Sequence, residues 1–395
     1  MNRQFRKVVS VIISLLAAGL PLASNALPAQ AAGPTFTVDD DKVQCPKAGY
    51  TDIQSAVDAL PSTGGTVLVC AGTYPNKVDI NGRTNVRLVG KKGAVITIPS
   101  AGFDGVLVDV YNSTNVILQS ITVDGQSQVG TLNGDVAVEF DQSTGTIQTS
   151  TIKNWSTPAS ATPDNGMYSL LLSGGTGSTI KVLSNVISGF QDHAIAASGK
   201  VAVTISKNTI SGTTAAANDP YGISLTYLNT DLPTGTITGN KLSGDAFPTS
   251  GQGAAIYLWE ASPLTLSGNT VTDWRIGLQM LSFCGSGLPV SHNVVKSNTF
   301  KEVTTGIILQ STPFYSCDSH LDHITVTGNK VTDTAGLGSN GIALVASWDG
   351  SLNAYAQNEL IKGNSVKHFS DAYSFSTSGP QVFVSGVFAP NTTLP

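Results

Sequence analysis

From residue 180 onward the chain repeats one short pattern: an aliphatic residue, two intervening residues, Asn, one residue, and an apolar residue. It occurs as Val182…Asn185…Ile187, Ile205…Asn208…Ile210, Ile237…Asn240…Leu242, Leu266…Asn269…Val271, Val295…Asn298…Phe300, Val326…Asn329…Val331 and Ile361…Asn364…Val366. The Asn-to-Asn steps are 23, 32, 29, 29, 31 and 35 residues, and Gly precedes the Asn in four copies. A constant pattern at a variable step describes a fixed structural rung joined by loops of changing length. Between the rungs lie alternating apolar strands such as Tyr221-Gly222-Ile223-Ser224-Leu225 and Gly306-Ile307-Ile308-Leu309, the pattern of half-buried strands. Weaker copies upstream, around residues 85–90, 116–121 and 146–152, bring the expectation to about ten rungs.

A rung of 20–35 residues cannot bury its own apolar side, whereas stacked copies can bury a continuous one. The expected fold is therefore all-β, a right-handed parallel β-helix whose strands pair with their equivalents one coil away. The Asn is expected at the sharp bend between strands, in left-handed backbone, with its amide bonded to the Asn amides above and below. An antiparallel sandwich would also give many short strands, but it offers no reason for one Asn at one offset seven times.

A solenoid needs its ends covered. Thr51-Asp52-Ile53-Gln54 reads as a capping box, and Ile53, Ala56, Val57 and Leu60 share one helical face before Pro61, so a short lid helix is expected over the first coil. Residues 64–70 follow as the first strand, and residues 381–388 are expected as a last edge strand. Residues 32–80 thus form the cap and first coil, 81–370 the β-helix, and 371–395 a closing strand and tail.

Residues 1–31 stand apart. Arg3, Arg6 and Lys7 precede an apolar run, and Ala29-Gln30-Ala31 supplies a small-x-small end. That order is expected of a secretory signal peptide, leaving a secreted chain with no membrane span. Without those three basic residues, 18 Lys+Arg face 26 Asp+Glu, an acidic balance that argues against nucleic acid as the partner. The four cysteines suit two disulfides in an exported protein. Three pairings are open, with proximity favouring Cys45–Cys70 and Cys284–Cys317.

Residues 50–59, then Gly64-Gly65-Thr66-Val67 and Ala71-Gly72-Thr73-Tyr74, resemble the opening of secreted pectate-lyase-like right-handed β-helix proteins, and the Asn rungs resemble the repeat of that superfamily. The resemblance covers nearly all the chain after residue 31. It implies a polysaccharide partner lying in a groove along one parallel sheet, but it is specific for fold and poor for activity. On the alternating strands the outward positions include Glu139, Ser224, Thr226, Tyr257, Trp259, Gln279 and Gln310. The Arg-and-Asp set of the lyases and the polygalacturonase motifs are absent. Asn218-Asp219-Pro220-Tyr221 is similar to an Asp-Pro motif of uronan epimerases, though the same residues form ordinary turns.

The acid/base candidates are therefore Glu139, Asp192, His193, Asp219 and Glu260. Tyr257, Trp259, Trp348 and Asp349 are candidates for sugar contact, since aromatic faces stack on pyranose rings. Trp155, Phe190, Trp274 and Phe369 fall five residues after the rung position and suit packing between coils. Asp318, His320 and Asp322 would share one side of a strand and are metal-ligand types, while His292 and His323, each six residues before a rung Asn, should stack. No cofactor motif is present, and Ca²⁺ is not supported by one. A polysaccharide lyase or glycoside hydrolase and a non-catalytic extracellular scaffold both remain open, as does the oligomeric state.

Overall fold

The computed structural model describes residues 33–130, 134–158, 166–212, 220–244, 253–284, 286–313, 317–334, 336, 338–347, 352–378, 382–388 and 392–394. The windings lay their strands onto three ladders. The first ladder runs from Val78–Asn81 through Val106–Tyr111 and Val136–Asp141 to Asp371–Ser378. The second starts at Thr35–Val38, Gly65–Val69 and Val86–Gly90. The long strands Tyr168–Leu183 and His193–Ser206 pass through the corner and join both ladders into one 24-stranded sheet. The third ladder is a separate 12-stranded sheet from Gly72–Tyr74 to Thr392–Leu394.

Neighbouring strands run parallel in every ladder, with register shifts after Gly174, Ser188 and Ala356, and equivalent positions align from coil to coil, for example Val138↔Leu170↔Ile195↔Ile223↔Ile256 on the first. That register stacks like on like: the inward column Val138, Leu170, Ile195, Ile223 and Ile256 is 0–1% exposed. Each such side chain gives roughly 1.5–3 kcal/mol on leaving water, and the core extends without a break from Val38 to Val366. Parallel pairing between neighbouring windings is incompatible with a sandwich. Trp155, Phe190 and Trp274 are buried at 1–2% exposure and Phe369 packs partly buried on the core.

The seven asparagines form one buried column. Nδ2 of Asn185, Asn208, Asn240, Asn269, Asn298 and Asn329 each donates to Oδ1 of the next at 2.9–3.0 Å. Each Oδ1 also accepts the preceding Asn backbone N–H, and each Nδ2 donates to a carbonyl one coil back, as Asn240 does to Ile205. One coil upstream Ser150 takes the Asn position, its N–H donating to Asn185 Oδ1 at 2.9 Å. The left-handed backbone lies one residue earlier than expected. Ser184, Lys207, Gly239, Gly268, Ser297, Gly328 and Gly363 carry φ of 55–64°, so the Gly before the Asn supplies the bend and the Asn supplies the bonds.

At the start of the coil stack, the helix Ile53–Asp58 buries Ile53, Ala56 and Val57. Its N-cap is Asp52, not Thr51, with Ser55 N–H donating to the Asp52 carboxylate at 2.8 Å. Gln54, freed from a capping box, instead accepts from Asp79 N–H at 2.7 Å and donates back to the Asp79 carbonyl, pinning lid to coil. Disulfides join Cys45 to Cys70 and Cys284 to Cys317. Among the described residues no helix is long and apolar enough to cross a membrane.

Candidate functional site

The outer face of the first ladder carries the chemistry. Its central column reads Asp79, Asp109, Glu139, Leu171, Ala196, Ser224, Tyr257, Gln279. Beside it run Tyr111, Asp141, Ser173, Ser198, Thr226 and Trp259. On the other flank, Val136, Tyr168, His193 and Tyr221 lie in register.

The early coils are acidic. Glu139, half-buried between apolar Val138 and Phe140, has its carboxyl pushed up to about 7 by burial, and further by Asp109 and Asp141. Burial also raises Asp109 and Asp141 above the ordinary carboxylate range, with Lys77 partly opposing the shift at Asp109. Lys77 itself pairs with Asp79 at 3.1 Å. Neighbouring carboxylates oppose one another's ionisation, which adds to burial in holding the proton on Glu139.

The next coils are aromatic. Tyr168, His193 and Tyr221 stack with centroids 4.8 and 5.1 Å apart, and Tyr257 leans on Tyr221 at 4.6 Å with its ring tilted by 37°. His193 Nδ1 lies 2.8 Å from Ser224 Oγ and its Nε2 lies 3.6 Å from Asp192 Oδ1. Burial drops the imidazole to about 4, so at neutral pH the ring is uncharged and its approach to Asp192 is not an ion pair. Asp192 is buried and its other oxygen accepts the Gly166 N–H. Trp259 meets Tyr257, Tyr227 and Phe283 edge-on, with interplanar angles of 71–77°, and its buried Nε1–H has no acceptor.

The structure therefore gathers Glu139, His193, Tyr257 and Trp259 on one face and turns other candidates elsewhere. Glu260 is 0% exposed, and its carboxylate accepts the N–H groups of Phe283 and Ser286; it fastens the loop that Cys284 bridges. Tyr257 lies tilted against Tyr221 by 37° and edge-on to Trp259. Asp219, Trp348 and Asp349 lie outside the described residues. Asp318 is held by Asn353 and Asp322 by Asn358 and His323, while His320 stacks on Tyr355 at 4.3 Å. These three do not converge on one point; among the described residues only Asp39, Asp40 and Asp41 bring three ligand atoms together. Asp318 and His320 instead line a cavity of about 300 Å³ with Cys284, Gly287, Leu288 and Pro289.

Asp79, Asp109 and Asp141 escape the sequence reading, as do Tyr168 and Tyr221. A signal existed for the first two: Val78-Asp79-Ile80, Val108-Asp109-Val110 and Val138-Glu139-Phe140 repeat an apolar–acid–apolar triple at intervals of 30 residues.

Residues 169–361 match the family model of the right handed beta helix region. No curated protein matches the chain significantly. Among solved structures it is similar to a mannuronic acid specific polysaccharide family 6 lyase from human gut microbiota, at 13% identity over 87% of this chain and 82% of that one, with a TM-score of 0.52. The Streptococcus pneumoniae surface protein and adhesin PfbA matches at 12% identity over 87% and 94%, also at 0.52. The tailspike of E. coli bacteriophage HK620, solved with a pentasaccharide, matches at 14% over 86% and 60%, again at 0.52. At such identities the likeness is one of fold. The continuous parallel coils, the bonded Asn column and the match over residues 169–361 together make this chain a right-handed parallel β-helix protein by fold.

Proposed function

We propose that the protein is an extracellular glycoside hydrolase that binds a polysaccharide lengthwise along the outer face of the first ladder. The observation that carries this reading is the half-buried Glu139 carboxyl, raised to about 7 between Asp109 and Asp141. Glycoside hydrolysis needs one protonated carboxyl for the leaving-group oxygen and one ionised carboxylate at the sugar ring, and environments that split the two do that work. Glu139 is the acid. Asp109 lies at the paired position one strand over; a carboxyl separation of about 5–5.5 Å would make it the nucleophile of a retaining reaction. Asp141 lies two residues along the same strand; a carboxyl separation of about 6.5–9.5 Å would make it the base that activates water in an inverting one. The anomer of the first product distinguishes them.

The same charges select the substrate. Asp79, Asp109 and Asp141 around a protonated Glu139, against Lys77, repel a polyuronide and suit a neutral or amino-sugar polymer. Uronate β-elimination would need a cation over the substrate carboxylate. Arg83 and Arg87 are instead engaged with Leu60 and Gln119, and His193 is neutral. The row of Tyr168, His193, Tyr221 and Tyr257 uses its inner ring faces on one another, so it offers ring edges and hydroxyls to sugar hydroxyls. A signal-peptide-like leader and two disulfides support an extracellular location.

The self-stacked rings and the structural use of Glu260 also suit a second reading, a non-catalytic scaffold. A reducing-sugar assay over neutral, amino-sugar and uronic polysaccharides separates the two. Release from a neutral or amino-sugar polymer that drops about 10²–10⁴-fold in Glu139→Gln supports the hydrolase. Release that survives the substitution removes Glu139 as the acid, and silence on every polymer leaves the scaffold.

A further inference from the structure

We infer that His292 and His323 form a surface site for a transition-metal ion of the imidazole-binding class, Cu²⁺ or Zn²⁺, with Asp322 as the group that aims it. The two histidines occupy the same bend in successive coils. The preceding residues pair in register, Ser291 with Asp322, and both bends are left-handed, with φ of 60° and 54°. Their rings lie 5.1 Å apart and within 2° of parallel. Both are exposed, so the ring edges face water and not the core.

Asp322 supplies the feature that a chance stack would lack. Its Oδ2 lies 2.8 Å from His323 Nδ1, while its Oδ1 accepts from Asn358 Nδ2 at 2.8 Å. Asn358 holds the same bend in the next coil, with φ of 58°. The carboxylate is thus fixed on one side and fixes the imidazole on the other. A proton on Nδ1 leaves the Nε2 lone pair free, which is the carboxylate–histidine arrangement that orients metal-bound imidazoles. Equivalent backbone positions place the His292 ring directly over that of His323. With His323 held by Asp322, a shared ion with bonds of about 2.0–2.1 Å to each nitrogen requires the exposed His292 ring to turn out of the parallel stack, so that its nitrogen lone pair converges with that of His323. Imidazole pairs suit Cu²⁺ and Zn²⁺ rather than Ca²⁺ or Mg²⁺, and the remaining coordination positions would be water.

The test titrates the tag-free full chain with Cu²⁺, read by electron paramagnetic resonance, and with Zn²⁺, read by calorimetry. The expected result is one ion per chain with a two-imidazole nitrogen pattern. Affinity should fall at least about 10-fold in His292→Ala and in His323→Ala, and roughly 10–100-fold in Asp322→Asn, with His320→Ala and His368→Ala unchanged. Circular dichroism confirms that each variant is folded, as expected for exposed positions. The site is overturned if the His292→Ala/His323→Ala double variant binds Cu²⁺ as tightly as the parent, if no imidazole pair is seen, or if His320→Ala is the variant that loses the ion.

Discussion

Glu139 and Glu359 are carboxyls that the fold holds away from water, one on the outer face and one inside. Glu359 is 1% exposed; one oxygen accepts the Ile324 N–H, the other has no partner, and burial pushes the group up to about 8. An acid whose folded value exceeds its unfolded one keeps its proton where the unfolded chain releases it, so stability falls as pH rises between the two. For Glu359 that window runs from about 4.5 to about 8. Glu359→Gln should therefore raise the melting temperature at pH 8 and leave it unchanged at pH 4, as thermal denaturation at the two pH values would show. For Glu139 the window closes at about 7. Glu139→Gln should melt higher than the parent at pH 7.5 while losing hydrolysis, a loss of function without loss of fold. In the parent the rate should decline as pH rises through about 7, where the acid loses its proton. Glu139 was legible as an outward acid on an alternating strand. Its shifted carboxyl was not, because Asp109 is 30 residues away in sequence and adjacent only after coiling.

At the scale of the element, the Asn column is where sequence and packing agree most closely. Asn240 accepts from Asn208 N–H and Nδ2 and donates to Asn269 Oδ1 and the Ile205 carbonyl, all in a buried site. Asn240→Ala strands several of those partners without water, and each orphaned group costs about 1–3 kcal/mol. A loss of roughly 2–4 kcal/mol is expected in denaturant titration. Asn240→Asp should not rescue it, because the bond to Asn269 Oδ1 needs a donor. The repeat predicted this column but put the left-handed residue in the wrong place. The pattern names the residue that is constant, whereas the bend falls on a neighbour that alternates among Gly, Ser and Lys, any of which satisfies one backbone requirement. Ser150 shows the converse: a serine doing the Asn's work one coil upstream broke the pattern that was searched for.

At the scale of the molecule, each coil touches only its neighbours, so stability should vary along the rod rather than vanish in one step. The Cys45–Cys70 link closes a 25-residue separation over the lid and first coil. Its removal by Cys45→Ser/Cys70→Ser should cost about 3 kcal/mol, and amide exchange should quicken first between residues 33 and 90 while the central coils stay protected. Amide exchange in the central coils as fast as at the lid would refute nearest-neighbour stability. The sequence by itself determined the coil. Aliphatic and Asn positions recur within a few residues of each other, so local pattern is enough to set which side faces inward and which strands must pair. Only the tertiary structure decided the site. The loops between rungs vary in length and carry no period, so what they touch follows from stacking alone: Glu260 turns in to hold Phe283 and Ser286, Asp192 to hold Gly166, and His193 comes to rest between two tyrosines.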